Sequence, residues 1–446
     1  MTETLARALE EVLLPVLGEV RVENLQPLTG GASRLTWAFD AVGDTRRALI
    51  LRTAAGDDIN TGMELEALAQ QRAATTGTPV PHILTADNSL AALGNPFLIC
   101  DAVAGESIAR RILRGLGDAG RSRLLQQCAA ALAAIHRADP AGIGLTSPDE
   151  LADWRARLGE VDDTTATFEW AFRRLAERRP APSPQRLVHG DFRMGNLIVD
   201  DAGLAAVLDW ELTHIGEVYE DLAWFCIRAW RFGAPETLGA GGLGSVEAFL
   251  RAYEQEATSV VDRDAFRWWQ TMATLRWGVI CRNQAERHLS GATRSVELIA
   301  IGRRVSETEW DLLDLLSGAE GREQRFRDAR KAPTGNPLSR RPTAAELVAA
   351  VADFLDNDVR AASTGQVDFH ARVAANVLRI VERELLDETD GAVLGALQGL
   401  GFTDEASLAR AIRAGELDDR GGDVMACLRI LVYQKLSIDH PGYGPG

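Results

Sequence analysis

The 446-residue chain has only five cysteines, at positions 100, 128, 226, 281 and 427, and no C-x-x-C pair among them. Dispersed and set in apolar surroundings, they read as reduced core thiols, not as a disulfide framework. Positive charge is also in deficit. There are 48 Lys and Arg against 64 Asp and Glu, a net charge of −16. A duplex nucleic-acid binder concentrates positive charge on one face, so no nucleic-acid partner is expected. No apolar run approaches the length needed to span a bilayer, so no membrane partner is expected either. The first 20 residues carry Glu3, Glu10, Glu11 and Glu19 in place of a basic-then-apolar leader, which predicts a soluble, cytoplasmic protein. There is no G-x-S-x-G elbow, no His or Cys pair at metal spacing, no long-period repeat and no low-complexity tract. The composition, 46% apolar and 25% charged, is that of a globular chain long enough for two or three domains.

Within it, Leu5, Leu9, Leu13, Leu14 and Leu17 recur at helical period over residues 3–18. Strand-like pieces follow at Leu25–Leu28, Leu35–Phe39 and Arg47–Leu51, with Gly30 and Gly31 between the first two. Glu64–Ala74 reads as a helix, stopped by Thr78, Pro79, Val80 and Pro81, and Phe97–Cys100 as a short buried strand left at Gly105. This order predicts a small antiparallel sheet with one helix. From Arg111 on, helical patterns dominate: Leu124–His136, Trp154–Ala176, Glu220–Arg231, Val246–Ala257 and Ala265–His288. A β-rich hairpin interrupts them at 187–210.

Ser317–Arg341 is rich in Gly, Arg, Lys and Pro and reads as a linker over 317–341. A new helical series starts with Leu347, Val348, Val351, Phe354 and Leu355, and Leu428–Leu436 closes it. Residues 342–446 hold nine Lys and Arg against 17 Asp and Glu, half of the net negative charge. The expectation is a separate acidic helical domain.

The chemistry concentrates in LVHGDFRMGNLIV, from Leu187 to Val199, followed by VLDWE, from Val207 to Glu211. Asp191 stands five residues before Asn196, and Asp209 follows a strand-turn-strand. Asp191 can take a proton from a substrate hydroxyl, while Asn196 and Asp209 offer hard oxygen ligands to the Mg²⁺ of a nucleotide. A hydrogen-bonded turn is the bland alternative for Asp191. Gly239 to Gly244, GAGGLG, matches the dinucleotide fingerprint, but the residues before it, WRFGAP, form no strand. A loop whose Ser245 caps the next helix is the expectation there.

The Asp-Asn-Asp spacing resembles the protein-kinase pattern H-R-D-x-x-x-x-N then D-F-G, with Gly190 in place of the arginine and Trp210-Glu211 in place of Phe-Gly. H-G-D-x-x-x-x-N with L-D-W-E is similar to the aminoglycoside phosphotransferase and choline kinase branch of the kinase-like fold, and residues 20–316 follow its order. The resemblance implies an α+β, bilobal protein-kinase-like fold. A small antiparallel β-sheet N-lobe would span 1–103 and a mainly helical C-lobe 104–316, with a C-terminal all-α helical domain beyond. It implies an Mg-ATP-dependent phosphotransferase acting on the hydroxyl of a small molecule, with ATP and Mg²⁺ as cofactors.

Site roles follow from the same resemblance. Gly30, Gly31 and Ser33 would form a nucleotide lid whose backbone approaches phosphates; the plain alternative is a hairpin turn. Arg52 stands where a kinase's third strand supplies lysine, similar to a subgroup that includes kinase domains fused to acyl-CoA dehydrogenases. A guanidinium there contacts phosphate oxygens bidentately. Its implied partner is Glu64, although helical period leaves Glu66 open. Cys100 to Val103 would offer backbone groups to adenine. His189 and Asp221 are implied to brace the catalytic loop, and Glu211 to assist the metal shell or hold the loop.

The acceptor could be a hydroxyacyl compound or its coenzyme A thioester, an aminoglycoside or an amino alcohol. Arg110, Arg111 and Arg114, or Arg228 and Arg231, could face a phosphate-bearing carrier; solvated helix surface is the alternative. A competing class is a nucleotide-binding pseudokinase whose helical tail recruits a partner, and the intact Asp191, Asn196 and Asp209 count against it. The tail over 342–446 is expected to form a homodimer or to dock a partner enzyme.

Overall fold

The computed structural model describes residues 2–28, 35–53, 62–159, 164–293, 295–317, 342–387 and 390–444. The first part runs α1 (Thr2–Leu17), β1 (Arg21–Leu28), β2 (Leu35–Val42), β3 (Arg46–Thr53), α2 (Met63–Ala74), β4 (Ile83–Asp87) and β5 (Phe97–Asp101). Next come α3 (Ala109–Gly115), α4 (Asp118–Arg137), α5 (Glu150–Gly159) and α6 (Ala166–Glu177). Four short strands follow: β6 (Gln185–Val188), β7 (Leu197–Asp200), β8 (Gly203–Val207) and β9 (His214–Glu217). The helices α7 (Val218–Cys226), α8 (Val246–Ala257), α9 (Arg263–Leu289), α10 (Val296–Gly302) and α11 (Val305–Ser317) come before the tail. The tail holds α12 (Ala344–Phe354), α13 (Gly365–Leu386), α14 (Asp390–Leu400), α15 (Glu405–Ala414) and α16 (Gly421–Asp439). The chain divides into two compact units, residues 1–148 with 180–270, and residues 149–179 with 271–446.

In the first unit the five strands pair antiparallel in the order β1-β2-β3-β5-β4. Alternation along the strands sorts their side chains by face. Phe39, Ala41, Leu49, Leu51, Phe97 and Ile99 pack with Leu9 and Leu13 of α1. Leu98 and Cys100 turn the other way, toward Met63 and Ala67 of α2 and Ile83. Each large side chain buried in this way contributes about 1.5–3 kcal/mol. β6 pairs with β9, and β7 with β8, and the two hairpin-like pairs hold the loops between them. At GAGGLG a 3₁₀ turn precedes the glycines, no strand does, and Ser245 Oγ accepts from Ala248 N at 3.1 Å to cap α8.

The second unit departs from the sequence pattern in two ways. Trp154–Ala176 is not one helix: α5 ends at Gly159, and α6 starts afresh after Thr165, whose hydroxyl accepts from Phe168 N at 3.2 Å. The tail is also not a separate bundle. Leu408 and Ile412 of α15 and Leu428, Leu431 and Val432 of α16 share one core with Trp170 of α6 and Trp310 and Leu313 of α11. Charged groups tie the same helices. Arg413 reaches Glu169 at 2.7 Å, and Lys435 reaches Glu309 at 3.1 Å and Glu405 at 2.9 Å. An amphipathic helix shows which face it buries but not against what, and here α6 and α11 supply the missing surface. The expected linker lies, from residue 318 on, outside the described residues. All five cysteines are free and buried. Among the described residues no helix is long and apolar enough to cross a membrane.

Candidate active site

β6 delivers the chain into the loop 189–196, and β8 delivers it into the loop 208–213. Gly190 has φ +80, and a Cβ there would lie 2.3 Å from the carbonyl oxygen of Leu212. No L side chain fits, which accounts for glycine where protein kinases carry arginine. Asp209 adopts φ 64, a left-handed conformation that costs about 1 kcal/mol for a residue with a side chain.

Three groups fasten the first loop. Fully buried Asp221, on α7, accepts from His189 N and Gly190 N, each at 2.8 Å. Its Oδ2 also lies 3.1 Å from Nε2 of His136, whose Nδ1 is 2.8 Å from the Tyr253 hydroxyl. Burial opposes charge on Asp221, but hydrogen bonds and electrostatic attraction from His136 and His189 together outweigh it and hold the carboxyl below its ordinary range. His189 Nδ1 accepts from Asp191 N at 3.1 Å, so its Nε2 carries the proton and donates to Leu208 O at 3.0 Å. The imidazole thereby links one loop to the other.

The Asp191 carboxylate, almost wholly buried, has three donors. Trp224 Nε1 donates to Oδ1 at 2.7 Å, Asn196 Nδ2 donates to Oδ2 at 2.7 Å, and Arg193 Nε lies 3.0 and 3.2 Å from the two oxygens. Asn196 Nδ2 also donates to the Asp191 carbonyl at 2.9 Å. The carboxamide nitrogen is thus committed, and the Asn196 Oδ1 is the end suited to a cation. Leu208 N donates to Asn196 O at 2.8 Å, which sets Asp209 beside it in the chain.

Arg52, on β3, bridges two carboxylates. Nη1 lies 2.5 Å from Glu66 and Nη2 lies 2.6 Å from Asp209. Burial works against its charge, yet Glu66, Asp209 and Glu211 more than offset it and raise its pKa. The expected partner Glu64 is therefore replaced by Glu66. Two residues turn a helix by about 200°, so only one of the pair can face the sheet. Glu64 is exposed and instead holds Asn88, accepting from its Nδ2 at 3.2 Å.

The remaining expected residues fall as follows. Half-buried Glu211 acts on Arg52 through its charge. Cys100 is buried in β5 between β3 and β4, its thiol pushed up to about 12 by burial, and half-buried Val103 follows the strand. Ala102 N, between them, donates to Ala48 O at 2.9 Å. Gly30, Gly31 and Ser33 lie outside the described residues. Arg110, Arg111 and Arg114 are exposed on α3, and Arg111 lies 3.5 Å from Glu106. Arg228 and Arg231 are half-buried on the turn after α7.

Sequence reasoning passed over Arg193, Trp224 and His136. Nothing in the sequence pattern marks Arg193; in the structure its guanidinium lies against Gly195, where an added Cβ would push the flexible side chain aside. On its other side Arg193 lies 4.8 Å from the centroid of the Trp230 ring.

The phosphotransferase enzyme family matches residues 24–269, more than half of the chain, and a domain of unknown function (DUF6285) matches residues 361–443. Acyl-CoA dehydrogenase family member 10 of Mus musculus is 25% identical over 303 residues, which cover 62% of this chain and 27% of the relative. Family member 11 of Gallus gallus is 29% identical over 193 residues, 40% of this chain and 24% of the relative. This chain thus spans about a quarter of the length of these curated relatives. A crystal structure from Ralstonia eutropha, assigned to the aminoglycoside phosphotransferases, shares the fold with a TM-score of 0.57 at 20% identity, covering 68% of this chain and 95% of that one. The chain belongs to the phosphotransferase enzyme family and has a kinase-like α+β fold.

Proposed function

We propose that the protein transfers the γ-phosphoryl group of Mg-ATP to a hydroxyl of a small molecule, with Asp191 as the base. The observation that carries this is one continuous network. It runs from Asp191 to Asn196, from Asn196 O to the peptide before Asp209, and from Asp209 through Arg52 to Glu66. Phosphoryl transfer asks for positioning and charge neutralisation more than for covalent help. Asp191 takes the proton as the acceptor oxygen bonds to the γ-phosphorus; the bond from that phosphorus to the β–γ bridging oxygen breaks, and ADP leaves.

The donor set suits Mg²⁺. Asn196 Oδ1 and the Asp209 carboxylate are hard oxygens, and the Asn196 amide is already oriented by its nitrogen. These two residues would hold the ion, which supplies charge neutralisation on the nucleotide phosphates. Arg52 remains cationic at any working pH and offers its guanidinium to phosphate oxygens.

For the acceptor we favour a hydroxylated acyl chain, free or as a thioester. The curated relatives are named for acyl-CoA dehydrogenation, and a kinase domain joined to such an enzyme would meet the same carbon skeletons. The five free, buried cysteines support a reducing, cytoplasmic setting.

The test is ADP formation from Mg-ATP, and from Mg-GTP in parallel, over hydroxyacyl thioesters, free hydroxy acids, aminoglycosides, amino alcohols and sugars. Turnover is expected in the hydroxyacyl arm. Asp191→Ala should lower it by at least about a hundredfold, the scale of a lost general base, with Mg-nucleotide affinity within twofold of the parent. An Asp191→Ala protein as active as the parent ends the assignment of the base; silence in every arm ends the acceptor class.

A further inference from the structure

One helix handles the catalytic loop twice. Asp221 of α7 accepts two main-chain N–H groups of the loop, and Trp224, three residues later on the same face, donates to the loop's carboxylate. Trp224 is 2% exposed, and its ring meets that of Trp230 edge-on at 5.3 Å. Trp230 in turn supports the guanidinium of Arg193, so indole N–H and Arg193 Nε converge on one atom, Asp191 Oδ1. Oδ1 therefore has two short donors, at 2.7 and 3.0 Å. Oδ2 has one short contact, Asn196 at 2.7 Å, and a longer one at 3.2 Å from Arg193.

We propose that Trp224 is a positioning residue for Asp191: its indole N–H pins Oδ1 and so fixes the plane of the carboxylate that receives the acceptor's proton. This rests on the reading of Asp191 as the base. A carboxylate on a surface loop turns freely about its χ2 bond, and a reacting group gains rate from being fixed before the substrate arrives. Asn196 cannot do this alone, because one of its two N–H groups holds Oδ2 only, and a second donor on Oδ1 is needed to stop rotation of the carboxylate. The aromatic body of Trp224 could be replaced by any ring of the same size; the N–H could not.

The experiment uses the full-length chain labelled with ¹⁵N in tryptophan. Asp191→Ala should shift the Trp224 indole N–H resonance upfield as its acceptor disappears. Trp154, which donates to Glu150 at 2.8 Å, is the internal control and should stay in place. An unmoved Trp224 signal overturns the inference, and this arm needs no variant at position 224. In the kinetic arm, ADP release from Mg-ATP with water as acceptor should fall about tenfold in Trp224→Phe, a fraction of a general base's worth. The Mg-ADP dissociation constant should stay within twofold. Adding Trp224→Phe to Asp191→Ala should cost nothing more. Parental rates in Trp224→Phe beside a silent Asp191→Ala would overturn the inference, as would a further loss in the double variant. If Asp191→Ala itself stays active, the base assignment falls, and the resonance shift still reports the contact separately.

Discussion

Arg52 and Lys435 are each a cation set between two carboxylates, one in each compact unit. Arg52 joins a strand, β3, to Glu66 of α2 and to Asp209 in a loop, at 2.5 and 2.6 Å. Lys435 of α16 joins Glu309 of α11 and Glu405 of α15, at 3.1 and 2.9 Å. Both cations have raised pKa values for the same reason: burial opposes the charge and neighbouring carboxylates outweigh it. The inventories match, yet their settings differ. Every member of the Lys435 cluster sits on regular helix, and Glu309 is wholly buried. Asp209 sits on left-handed backbone, its side chain 27% exposed, beside a second polar cluster around Asp191. A perturbed ion pair by itself therefore does not mark a site.

The sharpest way to break this comparison is to remove Lys435. Lys435→Ala leaves Glu309 buried without its cation, a loss of about 3–5 kcal/mol. Urea or thermal unfolding should show it, while ADP formation per folded molecule stays at the parental level. A stability equal to the parent's would mean that the cluster does not hold α11, α15 and α16 together.

Asp209→Ala is the mirror experiment. Arg52 keeps Glu66 as a carboxylate partner, so the loss of stability should be smaller than that of Lys435→Ala. Mg²⁺-dependent nucleotide affinity should fall at least about tenfold, the loss that even outer partners of a metal produce. A Mg²⁺ titration that superimposes on the parent's would end the proposed role of Asp209 as a Mg²⁺ ligand.

Asp221 gives the pH dependence. Its folded pKa lies below the unfolded value of about 3.9, so its stabilisation is complete above that value and is lost as pH falls through the folded one. Glu309 has the opposite sign: burial raises its pKa despite Lys435, so its contribution weakens as pH rises above the unfolded value of about 4.3. Asp221→Asn should cost about 1–3 kcal/mol at neutral pH by leaving loop N–H groups poorly satisfied. The same variant should flatten the acid side of a plot of melting temperature against pH. A variant curve parallel to the parent's would show that Asp221 does not carry that dependence.

The sequence was legible where chemistry is local. That Asp191 would lie beside Asn196, and Asn196 near the chain leading to Asp209, was readable because the three flank one strand-turn-strand, and the strands of the sheet because their apolar alternation and turns are short-range. Trp224 was not readable, since a tryptophan inside the apolar run EDLAWF looks like any other core residue until its N–H is seen at 2.7 Å from a carboxylate. The pairing of the tail with α6 and α11 was also hidden, because an acidic helix with an apolar stripe does not encode its partner. The break between α5 and α6 was masked by apolar residues on both sides of it.

Glu64 and Glu66 carry the smallest and most discriminating contrast, because both begin the same helix and differ only in angle. Met63, Glu66, Ala67, Gln70 and Ala73 are the buried stripe of α2, at the i, i+3, i+4, i+7 and i+10 positions of a helix face, and Glu64 is off it. The apolar pattern does not single out this face, because Leu65 and Leu68 lie off it and Leu68 is exposed. Glu66→Gln keeps the shape and removes the charge, so Arg52 should lean toward Asp209 and nucleotide affinity should fall a few-fold. Glu64→Gln should shift stability by less than about 0.5 kcal/mol, the ordinary cost of a surface contact, and leave nucleotide affinity unchanged. Isothermal titration with Mg-ADP on the two variants decides between them. Equal affinities would mean that Arg52 does not depend on the carboxylate it touches at 2.5 Å, and the network through Glu66 would end at Arg52.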